Sequence, residues 1–119
     1  MKLDHVQLAG PPGCEEDARE FYGRVLGLEE RPKPEPMRAS GGVWFTAGDG
    51  ELHIGIADPF TPARKAHPGL FVDDDQLQSI ARRLEQAGAK VEWDDRYPGV
   101  RRFYTADPFG NRIEIGAPG

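Results

Sequence analysis

Apolar and polar positions alternate along this chain with two different periods, and the two periods recur in the same order in each half. In Leu3 to Ala9, Val6 and Leu8 face one way and His5 and Gln7 the other, the period of two expected of a half-covered strand. Between Glu15 and Leu26 the apolar residues Ala18, Phe21, Tyr22, Val25 and Leu26 fall at helical spacing, and Gly27 supplies a stop. Strand patterns follow at Leu28 to Arg31, Gly42 to Thr46 and Glu51 to Ile56. The second half begins again with a strand pattern at Leu70 to Val72, and Asp73 to Asp75 can cap a helix that carries Leu77, Ile80, Ala81 and Leu84 as far as Gly88. After it come Lys90 to Trp93, Arg102 to Thr105 and Arg112 to Gly116. Each half therefore reads as βαβββ.

Matching positions keep a nearly constant offset between the halves. Gly27 and Gly88, and likewise His53 and Glu114, stand 61 residues apart, and His5 and His67 stand 62 apart. The expected organisation is one domain of the α+β class over 1–119. A first module covers 1–57, a connection with Asp58-Pro59 and Thr61-Pro62 covers 58–66, and a second module covers 67–119. Arg31 to Pro36 holds three prolines without a regular pattern and is expected to be a surface loop.

Composition narrows the partners. The net charge of −5 comes from interspersed acidic and basic residues, so no basic stripe points to nucleic acid and no polybasic segment to anionic lipid. Small molecules are the expected ligands. No apolar run approaches the ~20 residues of a membrane span, and Met-Lys-Leu-Asp-His lacks the apolar stretch of a signal peptide. A soluble, cytoplasmic protein is the expectation. Cys14, the single cysteine, sits beside Glu15 and Glu16 with no activating cation and reads as an ordinary thiol.

Alternation also sets the direction of the side chains that carry chemistry. Leu52, Ile54 and Ile56 oppose His53 and Gly55; Ile113 and Ile115 oppose Glu114, Arg112 and Gly116; Leu70 and Val72 oppose His67, Gly69 and Phe71. His5, His53, His67 and Glu114 thus share the face turned away from the helices, with Gln7 and small glycines beside them. Imidazoles and a carboxylate are donors for Zn²⁺, Fe²⁺, Ni²⁺ or Mn²⁺, and three or four protein ligands leave positions for water and substrate. A single strand histidine is more often a satisfied structural residue than a ligand. The joint pattern, with all three histidines on one predicted face, favours a metal site. On the seventh strand Arg102 and Tyr104 share one face and Arg101 and Phe103 the other, and an inward arginine can hold a carboxylate or phosphonate in two hydrogen bonds. Gln7, Arg102 and Tyr104 are the candidates for substrate contact. Trp44 offers a stacking surface, although an aromatic in a central strand more often belongs to the core. Gly110 and Asn111 suit a turn before the last strand.

Four segments together resemble the vicinal oxygen chelate superfamily, which includes glyoxalase I, extradiol dioxygenases, fosfomycin-resistance enzymes and bleomycin-resistance proteins. They are Asp4 to Leu8, Phe21 to Leu28, His67 to Asp74 and Asp107 to Glu114. The resemblance spans nearly the whole chain. It implies paired βαβββ modules forming a cup-shaped mixed sheet with helices on the outer face. It also implies metal ligands on the first, fourth, fifth and eighth strands, which fall on His5, His53, His67 and Glu114, and a homodimer. Glyoxalase-I-like members carry glutamate where this chain has His53, which argues against glyoxalase I activity itself. Glu114 remains available as a catalytic base, and His5, His67 and Glu114 resemble the two-histidine, one-carboxylate set of extradiol dioxygenases and fosfomycin-modifying enzymes. Two functional classes follow. One is a divalent-metal-dependent enzyme acting on a small oxygenated substrate, as a lyase, isomerase, transferase or dioxygenase; the other is a metal-free drug- or metabolite-binding protein of the bleomycin-resistance type.

Overall fold

The computed structural model describes all residues from Met1 to Gly119 and divides into two compact units, Met1–Pro62 and Ala63–Gly119. The first unit contains β1 (His5–Gly10), a helix α1 that starts over Glu15–Ala18 and continues with a wider π-helical pitch over Arg19–Val25, then β2 (Glu29–Arg31), β3 (Val43–Ala47) and β4 (Gly50–Ile56). In the second are β5 (Gly69–Phe71), α2 (Asp74–Gln86), β6 (Glu92–Asp94), β7 (Val100–Ala106) and β8 (Arg112–Pro118). Each unit is a four-stranded mixed sheet, ordered β1-β4-β3-β2 and β5-β8-β7-β6. The first and last strands pair in parallel and the others antiparallel. The α+β class and the βαβββ module match the expectation from the sequence.

Burial follows the alternation. In the first unit Ala18, Phe21, Tyr22 and Val25 of α1 are buried together with Val43, Phe45, Leu52 and Ile54 of the sheet, and the rings of Tyr22 and Phe45 lie 5.7 Å apart. In the second, Leu77, Ile80, Ala81 and Leu84 are buried along one stripe of α2, which packs on β8, and Phe103, Ile113, Ile115 and Ala117 are buried in the sheet. Asp74 and Asp75 in the first turn of α2 suit the positive end of its dipole. Its end comes at Gly88, whose φ of +86° a side chain would strain, with the Ala89 N–H donating to the Leu84 carbonyl.

Three local features depart from the sequence expectation. In α1 the Leu26 N–H reaches five residues back to the Phe21 carbonyl at 2.9 Å. Either helical pitch buries the same apolar residues, so their spacing does not separate the two. The proline-rich stretch after β2 runs into a 3₁₀ helix at Glu35–Ser40 instead of staying irregular. His67 lies two residues before β5 rather than inside a strand. Pro68 has no N–H to give to the ladder, which starts the strand at Gly69, yet the Pro68 carbonyl accepts from the Glu114 N–H at 3.0 Å and keeps the approach aligned.

Two tethers set the sheets' entry points. The Glu15 side chain accepts from the Gly42 N–H at 2.9 Å, tying α1 to the start of β3. Before β8 the buried Asp107 accepts from the N–H groups of Phe109 and Asn111 and from the Asn111 amide, a turn that aims the strand carrying Glu114.

Leu84→Ala should lower unfolding free energy by about 2–5 kcal/mol, readable as a fall in urea midpoint. The hydrogen bond from Gly42 holds the Glu15 carboxyl below its ordinary value of 4.5. A carboxyl lowered in the folded state contributes stability above its unfolded value and loses it as pH falls through the folded one. The stability gap between wild type and Glu15→Gln should therefore be full at neutral pH and close progressively below about pH 4.5; a gap independent of pH would show that the contact carries no ionic component.

Candidate functional site

The polar face of the first unit is organised by the parallel register of β1 and β4, which sets His5 opposite Glu51 and Gln7 opposite His53. Gly55, next on that face, leaves space for Gln7: a Cβ there would come within 2.7 Å of the Gln7 Nε2. On β3, Trp44 pairs with His53, and its ring lies flat against the imidazole, centroids 3.9 Å apart and planes within 2°. The other face of His53 is covered by His5 at 4.3 Å and 16°. His53 is therefore a buried slab, 4% exposed, between an indole and a second imidazole.

Acidic groups fix the edges of these rings. The His53 Nε2–H donates to Glu51 at 2.8 Å, and Glu51 is also paired with Arg31 at 3.1 Å. Arg31 lies over the Trp44 ring at 5.4 Å, closing the circuit. The hydrogen bond from His53 draws the Glu51 carboxyl below the usual carboxylate range. His5 donates from Nδ1 to Asp4 at 2.8 Å, and that bond lowers the Asp4 carboxyl in the same way. Its Nε2 is thereby left with the lone pair, in a side chain 44% exposed.

The second unit repeats the register with different side chains. Gly69 pairs with Glu114, so His67 stands to Glu114 as His5 stands to His53, and Tyr104 occupies the place of Trp44. His67 Nε2 lies 3.1 Å from Glu114 Oε1, and its Nδ1 lies 2.9 Å from the Lys65 carbonyl. Both partners are acceptors, whereas a neutral imidazole has one N–H. With Nδ1–H on the carbonyl, the gap between Nε2 and the carboxylate calls for a second proton or a cation. Tyr104 meets the His67 ring edge-on at 5.5 Å, and Arg112 covers the Tyr104 ring at 4.1 Å.

Arg102 holds the far side of Glu114, donating from Nη1 to Oε2 at 3.0 Å, with Asp94 3.6 Å from its Nη2 and its Nε buried without a partner. Burial pushes the Glu114 carboxyl up, but the hydrogen bonds from His67 and Arg102 outweigh it and hold the group below its ordinary value. The guanidinium expected to receive a substrate anion is thus largely engaged by two carboxylates of its own module. A cavity of about 620 Å³ opens beside it at the β6–β7 turn, lined by Trp93, Tyr97, Arg101 and Arg102 among others.

Of the residues expected from the sequence, His5, His53 and Gln7 meet in the first unit and His67, Glu114, Arg102 and Tyr104 in the second. Neither unit by itself gathers three ligating donors. Sequence reasoning passed over Glu51, Asp4, Arg31, Asp94 and the Lys65 carbonyl. Glu51 was within reach, since it lies two residues before His53 and alternation puts it on the same face.

A family model for the glyoxalase/bleomycin resistance protein/dioxygenase superfamily matches residues 2–115, and the chain belongs to that superfamily. A crystal structure of a protein from Bacillus anthracis assigned to the glyoxalase family is 46% identical, covers 100% of this chain and 96% of its own, and superposes with a TM-score of 0.93. Lactoylglutathione lyase from Agrobacterium tumefaciens, 23% identical over 98% of this chain and 92% of its own, has a TM-score of 0.73. The fosfomycin resistance protein FosX from Listeria monocytogenes, 16% identical over 100% and 94%, has a TM-score of 0.79. These last two share the fold. No protein of curated function matches the chain by sequence.

Arg102→Ala should cost about 1.5–3 kcal/mol by stripping a charged hydrogen bond from the mostly buried Glu114. Arg102→Lys should restore only part of it, because one ammonium does not span both Glu114 and Asp94. Equal stability of the alanine variant and wild type in urea melts would mean that Glu114 does not depend on this partner.

Proposed function

We propose that the protein is a divalent-metal-dependent enzyme that acts on a small oxygenated substrate. His67, Glu114 and His5 are the metal's ligands in this reading. The observation that carries it is the His67 ring, which has an acceptor oxygen at each nitrogen. A backbone carbonyl on Nδ1 fixes the tautomer that leaves Nε2 free to ligate, the second-sphere arrangement common to metal-bound histidines. His5 offers the same chemistry, with Asp4 on Nδ1. Nitrogen and oxygen donors in this number suit Zn²⁺, Ni²⁺, Mn²⁺ or Fe²⁺. When bound, such an ion polarises a substrate oxygen.

The chain's own residues supply the rest. Arg102 keeps the Glu114 carboxylate ionised and occupies Oε2, so that Oε1 is the oxygen turned to His67. Glu114 is the residue assigned to proton transfer. Gln7 and Tyr104 are assigned to substrate contact, each on the polar face of its own sheet. A cytoplasmic homodimer completes the proposal.

One observation favours the metal-free binding protein instead. The Glu114 carboxylate is already paired with the Arg102 guanidinium, an arrangement that stands without a metal ion. Elemental analysis after reconstitution with each metal decides between them. The enzyme reading expects near-stoichiometric metal in wild type and strong loss in His67→Ala, Glu114→Ala and His5→Ala. Wild type that takes up no metal under any of these conditions overturns it in favour of the binding protein.

A further inference from the structure

We infer that His53 is a positioning residue that orders His5 for ligation, and not a fourth metal ligand. The inference rests on the reading of His5 as a ligand given above. The lone pair of an imidazole nitrogen lies in the plane of its ring, so a bound cation sits in that plane about 2.0–2.1 Å from nitrogen. His5 and His53 are stacked face to face, 4.3 Å between centroids and 16° from parallel. Two such planes do not meet within ligand distance. One cation therefore takes a donor from one ring or the other.

The surroundings select His5. His53 is closed on both faces, by Trp44 and by His5, and its Nε2–H is committed to Glu51. Glu51 is in turn held by Arg31, which lies over Trp44. His53 thus sits in a ring of four side chains, each touching the next. His5 is the outermost plate of the stack and has the more open side chain, 44% exposed against 5% for His53. Its Nδ1 is fixed by Asp4, and its remaining rotation about the Cβ–Cγ bond is limited by the flat face of His53. A stack of two imidazoles on an indole thereby presets the orientation of the donor before any cation arrives, which is how an outer partner raises metal affinity.

In the second module the corresponding position is Glu114, which meets His67 edge-on through a carboxylate oxygen and not through a ring face. The two modules present the same backbone register and different chemistry: a donor pair in one, a donor and its platform in the other.

Zn²⁺ titration of metal-free protein against a competing chelator tests this, with thermal melting to confirm that each variant folds. His53→Ala should weaken Zn²⁺ binding by about 10–100-fold, the usual effect of losing an outer-sphere partner. His53→Phe keeps a flat ring without a donor nitrogen and should recover most of that affinity. Loss in His53→Phe as complete as in His67→Ala makes His53 a ligand and overturns the inference. A second arm needs no metal: the His5 ring-proton NMR signals of the metal-free protein should move with His53→Ala and stay near wild type with His53→Phe. Signals unmoved by His53→Ala also overturn it. Wild type that binds no Zn²⁺ defeats the metal reading instead, and the NMR arm then decides alone whether His53 orders His5.

Discussion

In each module the first strand runs parallel to the last, and the register of that pairing decides which side chains can meet. Gln7 opposite His53 and Gly69 opposite Glu114 are the same position in two copies of one motif. Shifting either pairing by a single residue would turn every donor on that strand toward the helix and every isoleucine toward the polar face. The buried Leu52, Ile54, Ile113 and Ile115 oppose such a slip, because each would lose its burial. Hydrophobic burial on one side of the sheet thus fixes the positions of the polar groups on the other.

Most of this architecture was legible in the sequence. Alternation identified the faces, Gly27 and Gly88 marked the helix ends, and the offset matched the strands of one half to those of the other. Those signals are one-dimensional consequences of backbone geometry and survive in the order of residues. What was not legible depends on side-chain torsions and on backbone atoms that every residue has. Nothing in the type of residue 65 announces that its carbonyl faces His67, and Trp44, which as an aromatic in a central strand reads more readily as core, lies instead on the polar face with its ring against His53. Arg102 is similar. Its face was correct, but the carboxylates of Asp94 and Glu114 that claim it come from strands whose packing spacing does not encode.

The two modules share one scaffold and differ in the chemistry it carries. Small residues are retained where the polar face is crowded: a Cβ at Gly55 would press on Gln7, and one at Gly116 would come within 2.9 Å of the Arg101 carbonyl. Aromatic rings are retained beside the last strand, as Trp44 and Tyr104. The groups between them differ in charge. Glu51 and His53 stand where the second module has Arg112 and Glu114, so acid and base have exchanged places along the strand. The chain's net charge of −5 falls on the first unit, while acidic and basic residues are equal in number in the second.

The two tryptophans divide the protein optically. Trp44 lies flat on His53 in the polar face of the first module, while Trp93 meets Phe103 edge-on at 5.1 Å, on the side of its sheet opposite Glu114. With one indole in each module, a single Trp→Phe replacement leaves an emission signal that belongs to one half of the chain. The remaining indole in the first half reports on ring stacking at the histidine pair, and the one in the second on the hairpin edge. Fluorescence can therefore say which half melts first, or that neither does so without the other.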